Sequence, residues 1–281
     1  MRRWVAVGGE LVRRVRSANL SLSAAAVAYN AFLAMVPLTL AGLGVAAVVG
    51  QDAAAIDRVQ RALEPIAPGA VTDFIVGLLR EASGRVPSGQ AWLIAGSALV
   101  ALALGSRAVV ALQRALALVV HRSEVRPAVQ MRLVGVAFTI AGGVALFLAS
   151  VLLVAGRDVF AFVGNLTGAG WLDDLWLWLR VPVSAIGLFL FVFGFYQLGP
   201  PVPLPRAWLA AVLATAGVMG GSLLFGLYLS AAPDLGPTFG TLGTVAVALV
   251  WLYVGALAIL LSAVIVTTIE PKAVTPVVEA S

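Results

Sequence analysis

Positively charged side chains recur at a fixed spacing in one apolar part of the chain. Arg107, Arg114 and His121 follow one another at intervals of seven residues. In a continuous α-helix this interval places the three side chains on one face with little drift. At the edge of a membrane, such a row presents fixed positive charge to lipid phosphates. The alternative is a cytoplasmic extension whose basic face rests on the anionic leaflet without a specific ligand.

Arg107 is the member of this row that we expect to lie deepest, because it closely follows the apolar run 91–104. A charged side chain at the centre of a bilayer costs about 2.5–3.5 kcal/mol on insertion scales, so it is usually paired or functional. We therefore expect Arg107 and Arg114 to contact the phosphate of an amphiphile. The expected partners are membrane lipids, in particular an anionic lipid or a lipid precursor.

Uncharged polar residues complete the candidate ligand-binding set. Asn30, next to Tyr29, lies within another apolar run, and a side-chain amide in hydrocarbon needs hydrogen-bond partners, worth about 0.6–2 kcal/mol. We expect Asn30 to line a polar cavity with Gln113 or Tyr253. The alternative is that Asn30 only joins two helices.

Hydrolytic chemistry has little support in the sequence. A metal-dependent nuclease needs His, Asp and Glu ligands clustered around one or two cations. The chain has one histidine, His121, and no cysteine. Its adjacent acids, Asp173 and Asp174, are more typical of a helix N-terminus than of a metal site. We expect no metal site and no cofactor, and a protein that is not an enzyme.

Composition places the chain in a membrane. Hydrophobic residues make up 61% and charged residues 11% of the chain, whereas soluble domains carry about 25% charged residues. The segment 235–269 contains no acid, lysine or arginine, although a helix with one face in water shows polar positions every third or fourth residue. About 20 apolar residues cross the hydrocarbon core. The fold class is therefore predicted to be all-α, a polytopic transmembrane helix bundle of about six spans.

The apolar runs define the predicted organisation. A basic N-terminal segment, 1–23, precedes a first run that is too long for a cleaved signal peptide. A membrane domain, 24–269, and a tail, 270–281, follow. The predicted spans are 24–49, 91–106, 133–155, 181–199, 207–230 and 241–268. The second span has an alternative, which is one tilted helix over 91–120.

The distribution of charge predicts the orientation. One side comprises the N-terminal segment, the connection after the second span, Arg206 and the tail 270–281. It carries 12 basic and 4 acidic residues, against 6 and 9 on the opposite side. The net charges are +8 and −3. By the positive-inside rule both termini are cytoplasmic. The pI near 10.4 then reflects topology, and we expect no nucleic acid as a partner.

The connection 50–90 is the long external one. Ile56, Val59, Leu63 and Ile66 fall at helical spacing, and the stretch 71–79 repeats the pattern. We predict two amphipathic helices there, which either rest on the outer membrane surface or cap the bundle.

A further set of residues is expected to shape or pack the helices. Pro37 lies inside the first span, where a proline frees a backbone carbonyl and kinks a helix. Gly240 and Gly243 enter the last span, where glycines allow close helix contact. Alternatively, they form a non-helical break that lines a site. Trp251 and Tyr253 are expected to steady the same span.

Three stretches together resemble a known family. They are AAAVAYNAFLAMVP, GSRAVVALQRAL followed by HRSEVR, and GLYLSAAPDLGPTFGTLGTVAVALVWLY. In their order and spacing, over about 23–269, the chain resembles the YihY/BrkB family of bacterial inner-membrane proteins. The resemblance implies a six-helix protein of the cytoplasmic membrane. The family is sometimes labelled ribonuclease BN-like and is sometimes linked to envelope lipids or transport.

The chain departs from that family pattern at two places. Phe239 stands where the family usually has a tyrosine before its first glycine. Ser262, Ala263 and Val264 stand where the last span usually ends near Gly-Ala-Glu. The intramembrane carboxylate typical of the family is absent, so a mechanism that depends on it does not carry over.

The leading hypothesis is a transporter or lipid-handling protein of the cell envelope, with an amphiphile held between helices. The second is a non-catalytic membrane scaffold that binds partners through 50–90. The third is a ribonuclease. A transporter should place several polar groups around one cavity, whereas a scaffold should have a dry, closed bundle.

Overall fold

Helices account for nearly all of the described chain in this computed structural model. It describes residues 19–49, 67–83, 91–119, 127–145, 171–200, 206–231 and 235–269, together with residues 13, 57, 60, 61, 63, 160 and 204. No strand occurs among them. The helices of the described ranges are α1 (Leu20–Val49), α2 (Gly69–Ser83), α3 (Ala91–Val119), α4 (Ala128–Ala145), α5 (Trp171–Leu198), α6 (Ala207–Ala231) and α7 (Leu235–Ile269).

The predicted bundle of about six spans is confirmed. Within the described residues, parts of α3 to α7 are long and apolar enough to cross a membrane. The shorter apolar stretch Leu20–Met35 belongs to α1, which as a whole has 30 residues and extends for about 45 Å. The chain is therefore a multi-pass membrane protein.

Two helices, α3 and α7, differ from the sequence-based predictions in their length or their continuity. The second span is one continuous helix, α3, so the alternative over 91–120 is right and the shorter span 91–106 is wrong; no proline interrupts the run. α7 is continuous over 35 residues and includes Gly240 and Gly243. The alternative of a non-helical break at these glycines is therefore wrong, and close helix packing there stays a prediction.

Prolines lie inside two of the helices. Pro37 lies inside α1 and Pro182 inside α5. Each lacks the N–H that would bond to the carbonyl four residues earlier. α5 begins at Trp171, so Asp173 and Asp174 fall in its first turn, as predicted for a helix N-terminus.

The core lies where α1, α3, α5, α6 and α7 meet. Each of these helices contributes a side chain that is at most 1% exposed; they are Leu20, Leu116, Tyr196, Ala210 and Leu260. α4 joins this core through Phe138, whose ring stands edge-on to Phe195 of α5 at 5.1 Å. Burial of these side chains against other helices fixes how the spans are arranged.

Small residues let α6 and α7 approach each other closely. A Cβ placed on Gly221 would lie 2.7 Å from Val254 Cγ1, and one on Gly217 would lie 3.0 Å from Ala258 Cβ. Such contacts replace the hydrophobic effect as the force between helices in lipid.

The second stretch of the connection 50–90 is amphipathic, as predicted. In α2 the residues Val71, Thr72, Ile75 and Val76 are buried, whereas Asp73 is exposed. The buried side packs against Met35 of α1 and against Val247 and Trp251 of α7. α2 therefore covers part of the bundle. The first predicted amphipathic helix lies largely outside the described residues.

Hydrogen bonds join α7 to three other helices. The Tyr196 hydroxyl of α5 donates to the Ile259 carbonyl at 2.7 Å and lies 2.7 Å from Ser262 Oγ. Trp251 Nε1 donates to Ser222 Oγ of α6 at 2.9 Å. The Tyr253 hydroxyl lies 2.9 Å from Ser21 Oγ of α1.

Val264 stands where the family pattern has a carboxylate, and it lies in the core. Val264 is 1% exposed and belongs to the same cluster as Tyr196. An unpaired carboxylate at this buried position would carry a large desolvation penalty. The valine is consistent with its apolar surroundings.

Candidate functional site

An open cleft of about 590 Å³ lies between α1, α3 and the start of α4. We call it the arginine cleft. Its polar lining residues are Ser23, Asn30, Ser106, Arg107, Arg114 and Arg132. Its apolar lining residues are Leu22, Ala26, Val110, Ala111, Ala115, Leu118 and Ala128.

Three guanidinium groups give the arginine cleft its charge. Arg107 and Arg114 come from α3, and Arg132 comes from α4; all three are exposed. No aspartate or glutamate is among the described residues that line the cleft. Within the described part of the chain, no hydrogen bond or ion pair engages these guanidinium groups. Among the residues that the structure describes, the cleft therefore holds three positive charges without a neighbouring carboxylate.

The close packing of α3 and α4 brings Arg132 to the other two arginines. A Cβ on Gly135 would lie 2.9 Å from the Ser106 carbonyl oxygen, and one on Gly105 would lie 2.6 Å from Thr139 Cγ2. These pairs run in opposite directions along the two helices, which are therefore antiparallel.

A side-chain hydrogen bond fixes the register of this pair. Gln113 Nε2 donates to the Met131 carbonyl at 3.3 Å. Gln113 and Met131 are therefore level with each other. Because the helices are antiparallel, their chain neighbours Arg114 and Arg132 are displaced from this level in opposite directions, by about 1.5 Å each. Both line the cleft.

The start of α4 determines which residues enter the helix. The Met131 N–H donates to the Pro127 carbonyl at 3.1 Å, and the helix begins at Ala128. Proline is favoured at helix starts because it has no N–H to leave unpaired. Arg132 consequently lies in the second turn.

Asn30 and Ser106, two uncharged polar residues of the cleft, each donate one hydrogen within their own helices. Asn30 Nδ2 donates to the Ala26 carbonyl at 2.8 Å, and Ser106 Oγ donates to the Ala103 carbonyl at 2.9 Å. The first bond assigns the amide orientation, because a carbonyl requires a donor opposite it. Asn30 Oδ1 is thereby left as an acceptor at the cleft.

The cleft brings together three of the five predicted ligand-binding residues, Asn30, Arg107 and Arg114. It does not include Gln113, which is 1% exposed and joins α3 to α4. Tyr29 is 58% exposed and is not among the lining residues. Gln113 and Tyr253 are therefore not among the described residues that line the arginine cleft with Asn30.

Sequence reasoning missed Arg132, which it counted only as a topological charge. Pro127 was the available signal, since a proline at a helix start moves the beginning of α4 ahead of Arg132. His121, the third member of the predicted row, lies outside the described residues. The buried Gln113 Oε1 has no hydrogen-bond partner among them.

A metal centre needs several His, Asp or Glu ligands at one point. Among the described residues, no group of three or more His, Asp or Glu side chains is arranged to hold an ion.

Comparison with known proteins gives two matches. The family described as Virulence factor BrkB matches residues 11–279. The Putative ribonuclease-like protein YfkH of Bacillus subtilis (strain 168) is 26% identical over 208 residues, which cover 73% of this chain and 74% of that protein. No solved structure matches the chain.

Proposed function

This chain belongs to the BrkB family, and we propose that it is a lipid- or amphiphile-handling protein of the cell envelope whose arginine cleft binds an anionic headgroup. The observation that carries the proposal is the convergence of Arg107, Arg114 and Arg132 on one cleft whose described lining residues include no acid.

The composition of the cleft suits an amphiphile. The arginines supply charge for a phosphate, and Leu22, Val110 and Leu118 supply an apolar wall. Guanidinium groups bind phosphate oxygens through paired, charge-assisted hydrogen bonds. An amphiphile would satisfy both kinds of surface at once, whereas a fully apolar or fully ionic ligand would satisfy only one.

The predicted topology places the cleft at the cytoplasmic leaflet. The connection from α3 to α4 belongs to the side with net charge +8. Anionic lipids of that leaflet attract basic residues by about 1 kcal/mol each near the surface. The cleft would receive its ligand from this leaflet.

The scaffold hypothesis receives less support. A scaffold should have a dry, closed bundle, whereas this bundle has polar side chains around one open cleft. The packed face of α2 is engaged by the chain's own α1 and α7, which reduces the apolar surface that 67–83 would offer a partner.

Native mass spectrometry of protein extracted gently from membranes tests the proposal. We expect a defined anionic lipid to remain on the wild type and to be lost from the double variant Arg107→Ala, Arg114→Ala. The matched control is the double variant Arg13→Ala, Arg206→Asn, which removes the same charge outside the cleft. Asparagine is chosen at Arg206 because its φ of 45° lies in the left-handed region that asparagine tolerates. Equal lipid retention by all three proteins would refute the proposal.

The name of the relative YfkH calls for a direct assay of RNA cleavage. We propose that this chain is non-catalytic, and we expect purified protein to leave RNA intact with Mg²⁺, Mn²⁺ or Zn²⁺. The measurement is the rate of cleavage relative to a sample with chelator. Metal-dependent cleavage that co-purifies with the protein would make the ribonuclease hypothesis the leading one.

A further inference from the structure

We propose that the headgroup bound by the arginine cleft is a terminal phosphate, a phosphate monoester or diphosphate that carries about two or more negative charges. This inference rests on the proposed function and names the ligand class of the same site. It follows from the charge of the cleft, from the groups that it lacks, and from its hydrogen-bond donors.

Charge balance favours a multiply charged headgroup. The cleft presents three guanidinium groups and no carboxylate among its described lining residues. A phosphodiester such as that of phosphatidylglycerol carries one negative charge and leaves two arginines unbalanced. A phosphate monoester carries about −1.5 to −2 at pH 7, and a diphosphate carries more. The monoester or diphosphate therefore gains more from the three arginines.

The cleft lacks the groups that recognise a zwitterionic headgroup. Choline and ethanolamine carry a positive charge, which proteins bind with carboxylates or with aromatic faces. The described lining residues include neither an acid nor an aromatic residue. A headgroup ammonium would instead lie among like charges.

The available donors match the additional oxygen of a terminal phosphate. One amide hydrogen of Asn30 and the hydroxyl hydrogen of Ser106 are directed to the carbonyls of Ala26 and Ala103, so the three arginines supply most of the N–H donors that remain for a ligand. Each guanidinium has five N–H groups in a planar fork. A terminal phosphate offers three unesterified oxygens to these forks, whereas a phosphodiester offers two.

The size and walls of the cleft favour a lipid over a free phosphate ion. Its volume of about 590 Å³ falls within the range of about 300–1,000 Å³ of small-molecule sites. Leu22, Val110 and Leu118 would contact the first carbons of a hydrocarbon chain. Inorganic phosphate offers nothing to this apolar wall.

A competition between two lipids with identical acyl chains tests the inference. Wild-type protein is incubated with equimolar dioleoyl phosphatidic acid, which has a terminal phosphate, and dioleoyl phosphatidylglycerol, which has a phosphodiester. Native mass spectrometry then counts the lipid that remains bound. We expect phosphatidic acid to be preferred about tenfold, the ratio that one additional charge-assisted hydrogen bond supplies. Arg132→Gln should reduce the preference, whereas the control Arg206→Asn should retain it.

The pH dependence of the lipid preference provides a second test, which needs no variant of the protein. The second proton of a phosphate monoester binds with a pKa of about 6. Lowering the pH from about 8 to about 5 therefore removes one charge from phosphatidic acid and none from phosphatidylglycerol. We expect the preference to decline over this interval. A preference independent of pH would overturn the inference.

The outcomes separate this inference from the proposed function. Equal binding of the two lipids, with both lost in the Arg107→Ala, Arg114→Ala variant, would overturn the terminal-phosphate inference and leave the proposed function in place. Lipid binding that is indifferent to all cleft variants would overturn both. Displacement of phosphatidic acid by an equal concentration of inorganic phosphate or glycerol phosphate would support the phosphate chemistry and overturn its lipid source.

Discussion

The Tyr196 and Tyr253 hydroxyls show how burial decides the value of one hydrogen bond at the scale of a residue. Tyr196 is fully buried, and its hydroxyl contacts Ile259 and Ser262. The Tyr253 hydroxyl contacts Ser21, whose side chain is exposed. Loss of the first removes a buried hydrogen bond that water cannot replace, although Ser262 Oγ still donates to the Ile259 carbonyl at 2.8 Å. The second can exchange its partner for water or a lipid headgroup.

The two tyrosine-to-phenylalanine variants should therefore differ in stability. We expect Tyr196→Phe to lower the free energy of unfolding by about 1 kcal/mol and Tyr253→Phe to change it by less than about 0.5 kcal/mol. Denaturant unfolding of the protein in detergent measures both, each variant serving as the control for the other. An equal loss of unfolding free energy in the two variants would show that burial does not make the Tyr196 hydrogen bond more stabilising than that of Tyr253.

At the scale of residues, the sequence showed which side chains could bind a ligand better than it showed which side chains surround them. Charge spacing along one helix was enough to select Arg107 and Arg114. It was not enough to select Arg132, because the position of α4 along α3 depends on contacts between the two helices, such as that of Gly135 with Ser106. For the same reason, Gln113 was expected in the cavity. Its neighbour Arg114 lies about 100° away around the helix, and only the position of α4 decides which of the two is buried.

At the scale of helices, α3 and α4 are held together by their glycines. A Cβ on Gly135 would lie 2.9 Å from a backbone oxygen, that of Ser106, and 3.1 Å from Val110 Cγ2. Gly143, on the same helix, has no described atom within 4 Å of the same position. The two glycines form a matched pair, because an added Cβ should meet another helix at Gly135 and open space at Gly143.

Alanine should stabilise the helix at Gly143 and separate the helices at Gly135. Gly→Ala in a helix interior gains up to about 1 kcal/mol from propensity, so Gly143→Ala should be neutral or stabilising. At Gly135 the backbone contact cannot yield locally, and overpacking costs about 1–3 kcal/mol. The thermal unfolding midpoint in detergent measures both effects. Equal midpoints for the two variants would mean that α3 and α4 are not in close contact at this point.

The elements themselves were largely predictable because hydrophobic runs dominate the sequence. The extent of α6 and α7 follows from apolar stretches without charge. The continuity of α3 was harder to predict, since Arg107 suggested a membrane boundary and therefore an early end. A guanidinium that reaches an open cleft need not end its helix, because its charge remains solvated or paired.

At the scale of the whole molecule, topology links the cleft to its ligand. The arginine cleft can receive a cytoplasmic-leaflet lipid only if the α3–α4 connection faces the cytoplasm. The charge bias of +8 against −3 makes this prediction. The packing of the helices does not define which side is which, because no membrane is part of the fold itself.

The absence of cysteine from the chain allows the orientation to be measured without removing any native thiol. Single substitutions Ser88→Cys, Ser123→Cys and Ser281→Cys mark the predicted external connection, the cytoplasmic connection and the C-terminus. A membrane-impermeant maleimide added to intact cells should label Ser88→Cys alone, and permeabilised cells should label all three, because positive charge is retained inside. Labelling of Ser123→Cys from outside would place the arginine cleft at the opposite leaflet. Labelling of both Ser88→Cys and Ser281→Cys from outside, with Ser123→Cys protected, would require an odd number of crossings after the α3–α4 connection and would contradict the six-span count.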